Sequence, residues 1–247
     1  MKINSFQKYK ENYFRFKRFG LFHGGPSFKI GTDAVILGAW AGKKCHPKKI
    51  IDIGTGSGII ALMLAQRFEK ADVYALEIDS DAALQAEKNF QASPFKNRLF
   101  LFNKALKNFE IKDKFDLIVS NPPYFSDALL PQNETKSRSK HSNSLSPEDL
   151  FLFASKSLKI NGKLSIIYPK EKMNQLFSLA KEYSLFCSSK LYIHPNQNHE
   201  AHRIILEFTM SSEANESENS LTIEENRRHQ YHPSYINLCK AFYLNFQ

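Results

Sequence analysis

From residue 48 onward the chain alternates unbroken apolar runs with longer stretches whose apolar residues fall three and four apart. K-K-I-I-D-I-G predicts a buried strand, I-I-A-L-M-L-A-Q-R-F a helix, and V-Y-A-L-E-I the next strand. Residues 80–91 have helical spacing through Ala83, Leu84, Ala86, Glu87 and Phe90. R-L-F-L-F-N and F-D-L-I-V-S read as the third and fourth strands. A helix over 147–158 begins at Pro147, G-K-L-S-I-I-Y is a fifth strand, and a helix over 171–184 follows. K-L-Y-I-H and R-I-I-L-E-F-T-M then stand close enough to pair as an antiparallel hairpin. Alternating units of this kind predict an α/β fold with right-handed crossovers. The expected sheet has seven strands, mostly parallel, with the last antiparallel.

Two segments break the rhythm. Residues 127–146 form a long polar insertion, D-A-L-L-P-Q-N-E-T-K-S-R-S-K-H-S-N-S-L-S, of a length that in compact domains marks a lid or a disordered loop. Residues 211–220, S-S-E-A-N-E-S-E-N-S, read as a flexible acidic connector. Beyond it Ile236, Leu238, Ala241, Phe242 and Leu244 are spaced for a terminal helix that docks. The expected organisation is an N-terminal basic and aromatic extension with a covering helix over 1–46, a core over 47–210, the connector over 211–220, and a docking segment over 221–247.

Composition adds a partner class. Net charge is +9, which favours a polyanion through counterion release. Residues 8–19 concentrate it: Lys8, Lys10, Arg15, Lys17 and Arg18 against the single acid Glu11, interleaved with Tyr9, Tyr13, Phe14, Phe16 and Phe19. Cations among aromatics suit phosphates and unstacked bases, and equally suit a hairpin with one aromatic core face and one solvated basic face. No apolar run reaches the length of a membrane span, and the start M-K-I-N-S-F-Q-K-Y-K lacks a signal-peptide core. Cys45, Cys187 and Cys239 are odd in number and far apart, as free thiols in a reducing compartment are. A cytoplasmic monomer without membrane contact is expected. His194, His199 and His202 have neither Cys partners nor helical H-x-x-x-H spacing, so no metal is expected.

Asp52-Ile-Gly54-Thr-Gly56-Ser-Gly58 joins the first predicted strand to its helix. Glycines let backbone approach a ligand, and the helix N terminus adds donors. The third position of a dinucleotide fingerprint is Ile59, and no G-K-[ST] ending makes this a P-loop. D-x-G-x-G-x-G, with Glu77 of A-L-E-I-D ending the next strand, resembles the class I S-adenosylmethionine methyltransferases. That resemblance implies the class I Rossmann-like fold and S-adenosyl-L-methionine as methyl donor. Its methionine moiety would lie over Gly54, Gly56 and Gly58, Glu77 would accept the ribose hydroxyls with Ile78 beside it, and Asp52 would orient the donor through its ammonium group. Upstream, in Lys29-Ile-Gly-Thr-Asp33-Ala-Val-Ile-Leu-Gly-Ala-Trp40, Thr32 is placed to cap a short helix. The resemblance puts this helix over the methionine end of the donor, with Lys29, Thr32 and Asp33 near it. Ala105 stands where such enzymes often carry an acid for the donor adenine, and Asn103 is the expected substitute.

The fourth strand ends in S-N-P-P-Y-F, and prolines neither donate to a ladder nor start a relaxed helix. In an open parallel sheet, ligands bind beyond the carboxyl ends of the strands. There Asn121 Oδ1 and the Pro122 carbonyl are placed to accept the two N–H bonds of a planar amine and aim its lone pair at the methyl, with Tyr124 stacked on the ring. Asn121 is expected to border the donor as well. This tetrapeptide serves adenine N6 and glutamine amides alike.

F-R-F-K-R-F, K-I-G-T-D-A-V-I-L-G-A-W-A, D-I-G-T-G-S-G, N-P-P-Y-F, the run from Arg138 to Ser146, and Y-x-x-L-x-x-x-F-Y-L together resemble the bacterial tRNA adenine-N6 methyltransferases that modify the anticodon-loop adenine of a valine tRNA. The resemblance runs from about residue 13 to the end, the acidic connector excepted. It implies tRNA as substrate, with Arg15, Lys17, Arg18, Lys136, Arg138 and His141 on its phosphates. Two alternatives stand: a glutamine-N5 methyltransferase acting on a release factor, and an adenine-N6 enzyme for another RNA or DNA. The first usually carries a helical recognition domain before the glycine loop and the second a large target-recognition domain. The 51 residues before Asp52 are instead basic and aromatic.

Overall fold

β3 (Lys49–Ile53) is apolar on both sides apart from Asp52, a pattern stable only where both faces of a sheet are covered. It lies inside an eight-stranded sheet. The computed structural model describes residues 13–22, 30–123, 145–213 and 216–247. β4 (Asp72–Glu77) and then β5 (Leu99–Asn103) follow on one side of β3, all parallel. On the other side come β6 (Phe115–Ser120) and β7 (Leu158–Pro169), also parallel. β9 (Arg203–Thr209) runs antiparallel between β7 and β8 (Phe186–Asn196), so the expected hairpin and antiparallel last strand are both present.

The eighth strand was not expected. β10 (Ser217–Glu224) pairs in parallel with β8, and it begins inside the stretch read as a flexible acidic connector. The acids that made 211–220 read as a linker have a cation waiting. Lys190 of β8 lies 2.5 Å from Glu216 Oε1 and 3.0 Å from Glu218 Oε1, so two of the carboxylates become lateral partners of the neighbouring strand. Leu221 supplies the buried anchor.

Helices cover both faces. α1 (Thr32–Trp40), α2 (Ile59–Arg67) and α3 (Ser80–Gln91) lie with the chain's end over one core. α4 (Pro147–Ser157) and α5 (Met173–Glu182) cover the other. α1 is apolar all round and buried from Ala34 to Ala39. Its N-cap is Gly31, and the Thr32 side chain makes no capping bond, contrary to expectation, because Thr32 already has helical geometry. α3 is capped by Asp79, and α4 by Ser146 with Pro147 behind it.

The basic, aromatic N terminus forms a hairpin, β1 (Tyr13–Arg15) with β2 (Gly20–Phe22). Phe16, Phe19 and Leu21 are buried, and Phe16 bridges to Tyr243. The tail docks through α6 (Pro233–Cys239): Phe242 is buried as expected and Ile236 and Leu238 pack half-buried against the core, whereas Ala241 and Leu244 are exposed and the aromatics Tyr235 and Phe246 are buried in addition.

Candidate active site

The chain leaves β3 to build β4 and β5 on one side, then returns to place β6 and β7 on the other. The crevice outside the carboxyl ends of β3 and β6 is therefore the topological switch point, where such sheets bind ligands. Register aligns Ile53 with both Leu76 and Ser120, so the residues that follow them emerge side by side. Ser120 Oγ donates to the Ile53 carbonyl (2.8 Å), tying the two strand ends together. The glycine loop thus follows one strand and Asn121-Pro122 the next. Asn121 is half-buried and Pro122 buried.

Gly54, Gly56 and Gly58 have φ of +74°, +56° and +85°, the left-handed region that glycine reaches without strain. Their surroundings differ. A Cβ on Gly58 would sit 2.5 Å from Phe90, whereas one on Gly56 would meet nothing within 4 Å. Gly58 therefore serves packing, and Gly56 faces open space. Glu77 closes the loop from β4: its Oε2 accepts from the Gly56 N–H (2.8 Å) and its Oε1 from the Asp79 N–H (2.9 Å). Ile53, Gly54, Leu76, Glu77, Ile78, Ala105 and Leu106 line a mainly apolar cleft beside it.

Asp52 is fully buried and accepts the Thr55 hydroxyl on Oδ2 (2.6 Å). Its Oδ1 is buried without a hydrogen-bond partner at normal geometry. Burial pushes its carboxyl up to about 7, the nearby charge of Glu77 adds to the rise, and the Thr55 hydroxyl and Ala61 amide hold it back. Asn103 serves the backbone: its Nδ2 donates to the Glu77 carbonyl (2.8 Å), and its Oδ1 accepts from Ser80 (3.0 Å).

The other expected site residues are dispersed. Asp33 pairs with Arg203 (3.0 Å), and Thr32 borders a hollow with Tyr13, Phe14, Arg15 and His229. Lys17 donates to the carbonyls of Lys240 and Phe246 (both 2.7 Å), and Arg18 pairs with Glu69 (3.0 Å). Arg15 is exposed on the hairpin. Lys29, Tyr124, Lys136, Arg138 and His141 lie outside the described residues. Among the described residues no group of three His, Cys, Asp or Glu converges on a metal position, and no helix is long and apolar enough to cross a membrane.

A family model, the methyltransferase small domain, matches residues 31–184. A tRNA1(Val) (adenine(37)-N6)-methyltransferase from Parabacteroides distasonis is 39% identical over 235 residues, 94% of this chain and 98% of its own. One of the same name from Trichodesmium erythraeum is 38% identical over 239 residues, 95% of this chain and 99% of its own. The chain belongs to this methyltransferase family. Among solved structures, a predicted O-methyltransferase, protein Atu636 from Agrobacterium tumefaciens, superposes with a TM-score of 0.66 at 22% identity, over 85% of this chain and 96% of that one, a likeness of fold alone.

Sequence reasoning missed one supporting residue of this family member's site. Asn89 is completely buried on α3, and its Nδ2 donates to the Ser57 carbonyl of the glycine loop (2.8 Å). A signal was present: an amide standing in the apolar stripe of Ala82, Ala83, Ala86 and Phe90 needs partners when buried.

Proposed function

We propose that the chain transfers a methyl group from S-adenosyl-L-methionine to N6 of an adenine in tRNA, adenine 37 of the valine tRNA. The observation that carries this reading is the placement of Asn121-Pro122 beside the glycine loop, across the switch point.

The residues at the crevice fit the donor. Gly56 leaves open space where a side chain would stand, so backbone N–H groups and ligand can approach closely. Asp52 Oδ1 is a buried acceptor awaiting a donor, suited to an ammonium group. Glu77 is held at the strand end by two backbone amides, which leaves lone pairs for a pair of hydroxyls. Leu76, Ile78 and Leu106 offer the apolar walls that a nucleoside base needs. When bound, this donor supplies an electrophilic methyl on a sulfonium.

The chain's own residues supply the geometry. The adenine amine is a weak nucleophile because its lone pair is delocalised into the ring. Asn121 Oδ1 and the Pro122 carbonyl each accept one of its N–H bonds, which draws the nitrogen towards pyramidal geometry and turns its lone pair to the methyl. The prolines hold that carbonyl in place before the substrate arrives, so little reorganisation is left for the reaction. With the donor bound, N–C bond formation would be matched by S–C cleavage, and the extra amine proton would leave to water. Tyr124, two residues on, is the stacking partner for the splayed base.

The test is transfer of labelled methyl to bulk bacterial tRNA lacking this modification, followed by nucleoside analysis. N6-methyladenosine at the position next to the anticodon is expected. Label found only in a release-factor glutamine would move the chain to the amide-methylating enzymes.

A further inference from the structure

β10 does not stop at the sheet edge. It runs through Glu224 into a tight turn and returns, with Glu224 bridging Tyr231 and the His232 N–H bonding the Ile223 carbonyl (2.9 Å). Within the turn the Glu225 N–H donates to the Gln230 carbonyl (2.8 Å) and the Gln230 N–H to Arg227 (3.1 Å). The tip is Asn226-Arg227-Arg228-His229, all exposed. His229 has φ of +68°, a left-handed conformation costing a non-glycine residue about 1–2 kcal/mol. Backbone hydrogen bonds close the turn on both sides of the tip.

Its acids are committed elsewhere. Glu224 Oε1 accepts the His229 N–H (2.9 Å), and Glu225 Oε2 accepts Gln230 Nε2 (2.6 Å). Among the described residues neither Arg227 nor Arg228 makes an ion pair, although two carboxylates stand within four residues. Of the nearest negative charges Glu224 holds a backbone amide and Glu225 a side-chain amide, and Arg227 and Arg228 are exposed.

Position decides what these arginines can meet. Register aligns Leu221 of β10 with Ile193, Ile193 with Arg203, and Arg203 with Pro169 at the carboxyl end of β7. The turn therefore projects from the same edge of the sheet as Asn121. Four strand spacings separate β10 from β6, which is ~19 Å. At roughly 3.4 Å per nucleotide that span is about five or six steps along a strand. For a target base in a hairpin loop, this distance reaches into the paired stem.

We infer that the Arg227–Arg228 turn is a phosphate-backbone clamp for the paired stem of the RNA whose loop adenine enters the Asn121 crevice. The inference rests on the tRNA reading above. Arginine forks match phosphate oxygens bidentately, and such contacts set register and orientation without reading sequence. A hydrogen-bonded turn loses less freedom on binding than a flexible tail carrying the same charges.

The test compares the parent chain with R227A/R228A and R227K/R228K, using unmodified tRNA transcript in equilibrium binding at several salt concentrations and in steady-state methylation. The alanine pair is expected to raise Kd and KM for tRNA about tenfold or more, with kcat at saturating tRNA and donor affinity kept. Its log Kd against log salt should be less steep by about 1.5 to 2, because two phosphate contacts are lost. The lysine pair should restore the slope. A parent-like slope and KM in the alanine pair, with its unfolding temperature unchanged, overturns the clamp while leaving the tRNA reading intact. A parent chain that methylates no RNA overturns the function reading and the clamp with it.

Discussion

The side chain of Asn89 forms a two-way pair with the backbone of Phe22: its Oδ1 accepts the Phe22 N–H (2.8 Å) and its Nδ2 donates to the Phe22 carbonyl (3.0 Å). The second Nδ2 hydrogen reaches Ser57 in the glycine loop. One buried amide thus fastens the N-terminal hairpin to the glycine loop. Replacing Asn89 by Leu removes three hydrogen bonds to backbone groups, at about 1–3 kcal/mol for each group left buried without another partner. N89L should lower the unfolding temperature by several degrees and weaken donor binding, read by thermal unfolding and by titration calorimetry. Donor affinity equal to the parent's would show that the glycine loop does not depend on this fastening.

Gly56 and Gly58 should fail in different ways. G58A drives a methyl into Phe90 at a left-handed φ, so its chief effect is a loss of stability of about 2 kcal/mol or more. G56A puts its methyl into open space, so stability falls only by the left-handed cost while donor affinity drops at least tenfold. Chemical denaturation set beside donor titration separates the two, and the reverse ranking would contradict the assignment of Gly56 to the ligand.

Asn121 is expected to act on the substrate amine. N121A should cut kcat by about a hundredfold or more, the scale of losing one preorganised electrostatic contact, with donor affinity close to the parent's. Single-turnover methylation reads the first and calorimetry the second. Chemistry that survives in N121A would refute the positioning mechanism.

The raised carboxyl of Asp52 makes stability depend on pH. Its folded pKa, about 7, lies above the ordinary 3.8, so the folded chain keeps a proton that the unfolded chain has lost between those values. As far as this group is concerned, stability of the donor-free protein is therefore greatest below the unfolded value of 3.8. It falls as pH rises to about 7, by on the order of 4 kcal/mol for so buried a group. D52N should flatten that part of the curve. Parallel profiles for parent and variant would mean that the Asp52 carboxyl is not raised on folding.

Lys17 is expected to behave as a structural residue. Its ammonium holds two carbonyls of the C-terminal segment, and the Lys17 N–H meets the Phe242 carbonyl. K17A should destabilise by about 1–3 kcal/mol, the range for hydrogen bonds to a charged group, and leave the salt dependence of tRNA binding unchanged. A slope reduced by about one would instead place Lys17 on a phosphate.

What was legible came from local pattern. The helix over 80–91, the strand ending at Glu77, the capped start at Pro147 and the glycine loop each depend on residues close in sequence, and each lies where its periodicity put it. The pairing of crevice and N-P-P followed from one general rule about parallel sheets. Asp33 shows where such reasoning stops: its partner Arg203 is 170 residues away, and nothing in the helix that carries Asp33 names it.

The sequence by itself determined the alternation of strands and helices and the place of the glycine loop and of Asn121-Pro122 at strand ends, because short-range sterics and hydrophobic period act over a few residues. The strand order that makes a switch point there came from tertiary structure. Tertiary structure decided that the second half of the acidic stretch, from Ser217, opens a strand, where Lys190 of the neighbouring strand pairs with Glu216 and Glu218. It also decided that Lys17 serves the tail, that Asn89 joins hairpin to glycine loop, and that Arg227 and Arg228 stand on the edge where Asn121 opens. Charge and amide groups take their roles from whatever partner the fold brings within 3 Å, and that partner is distant along the chain.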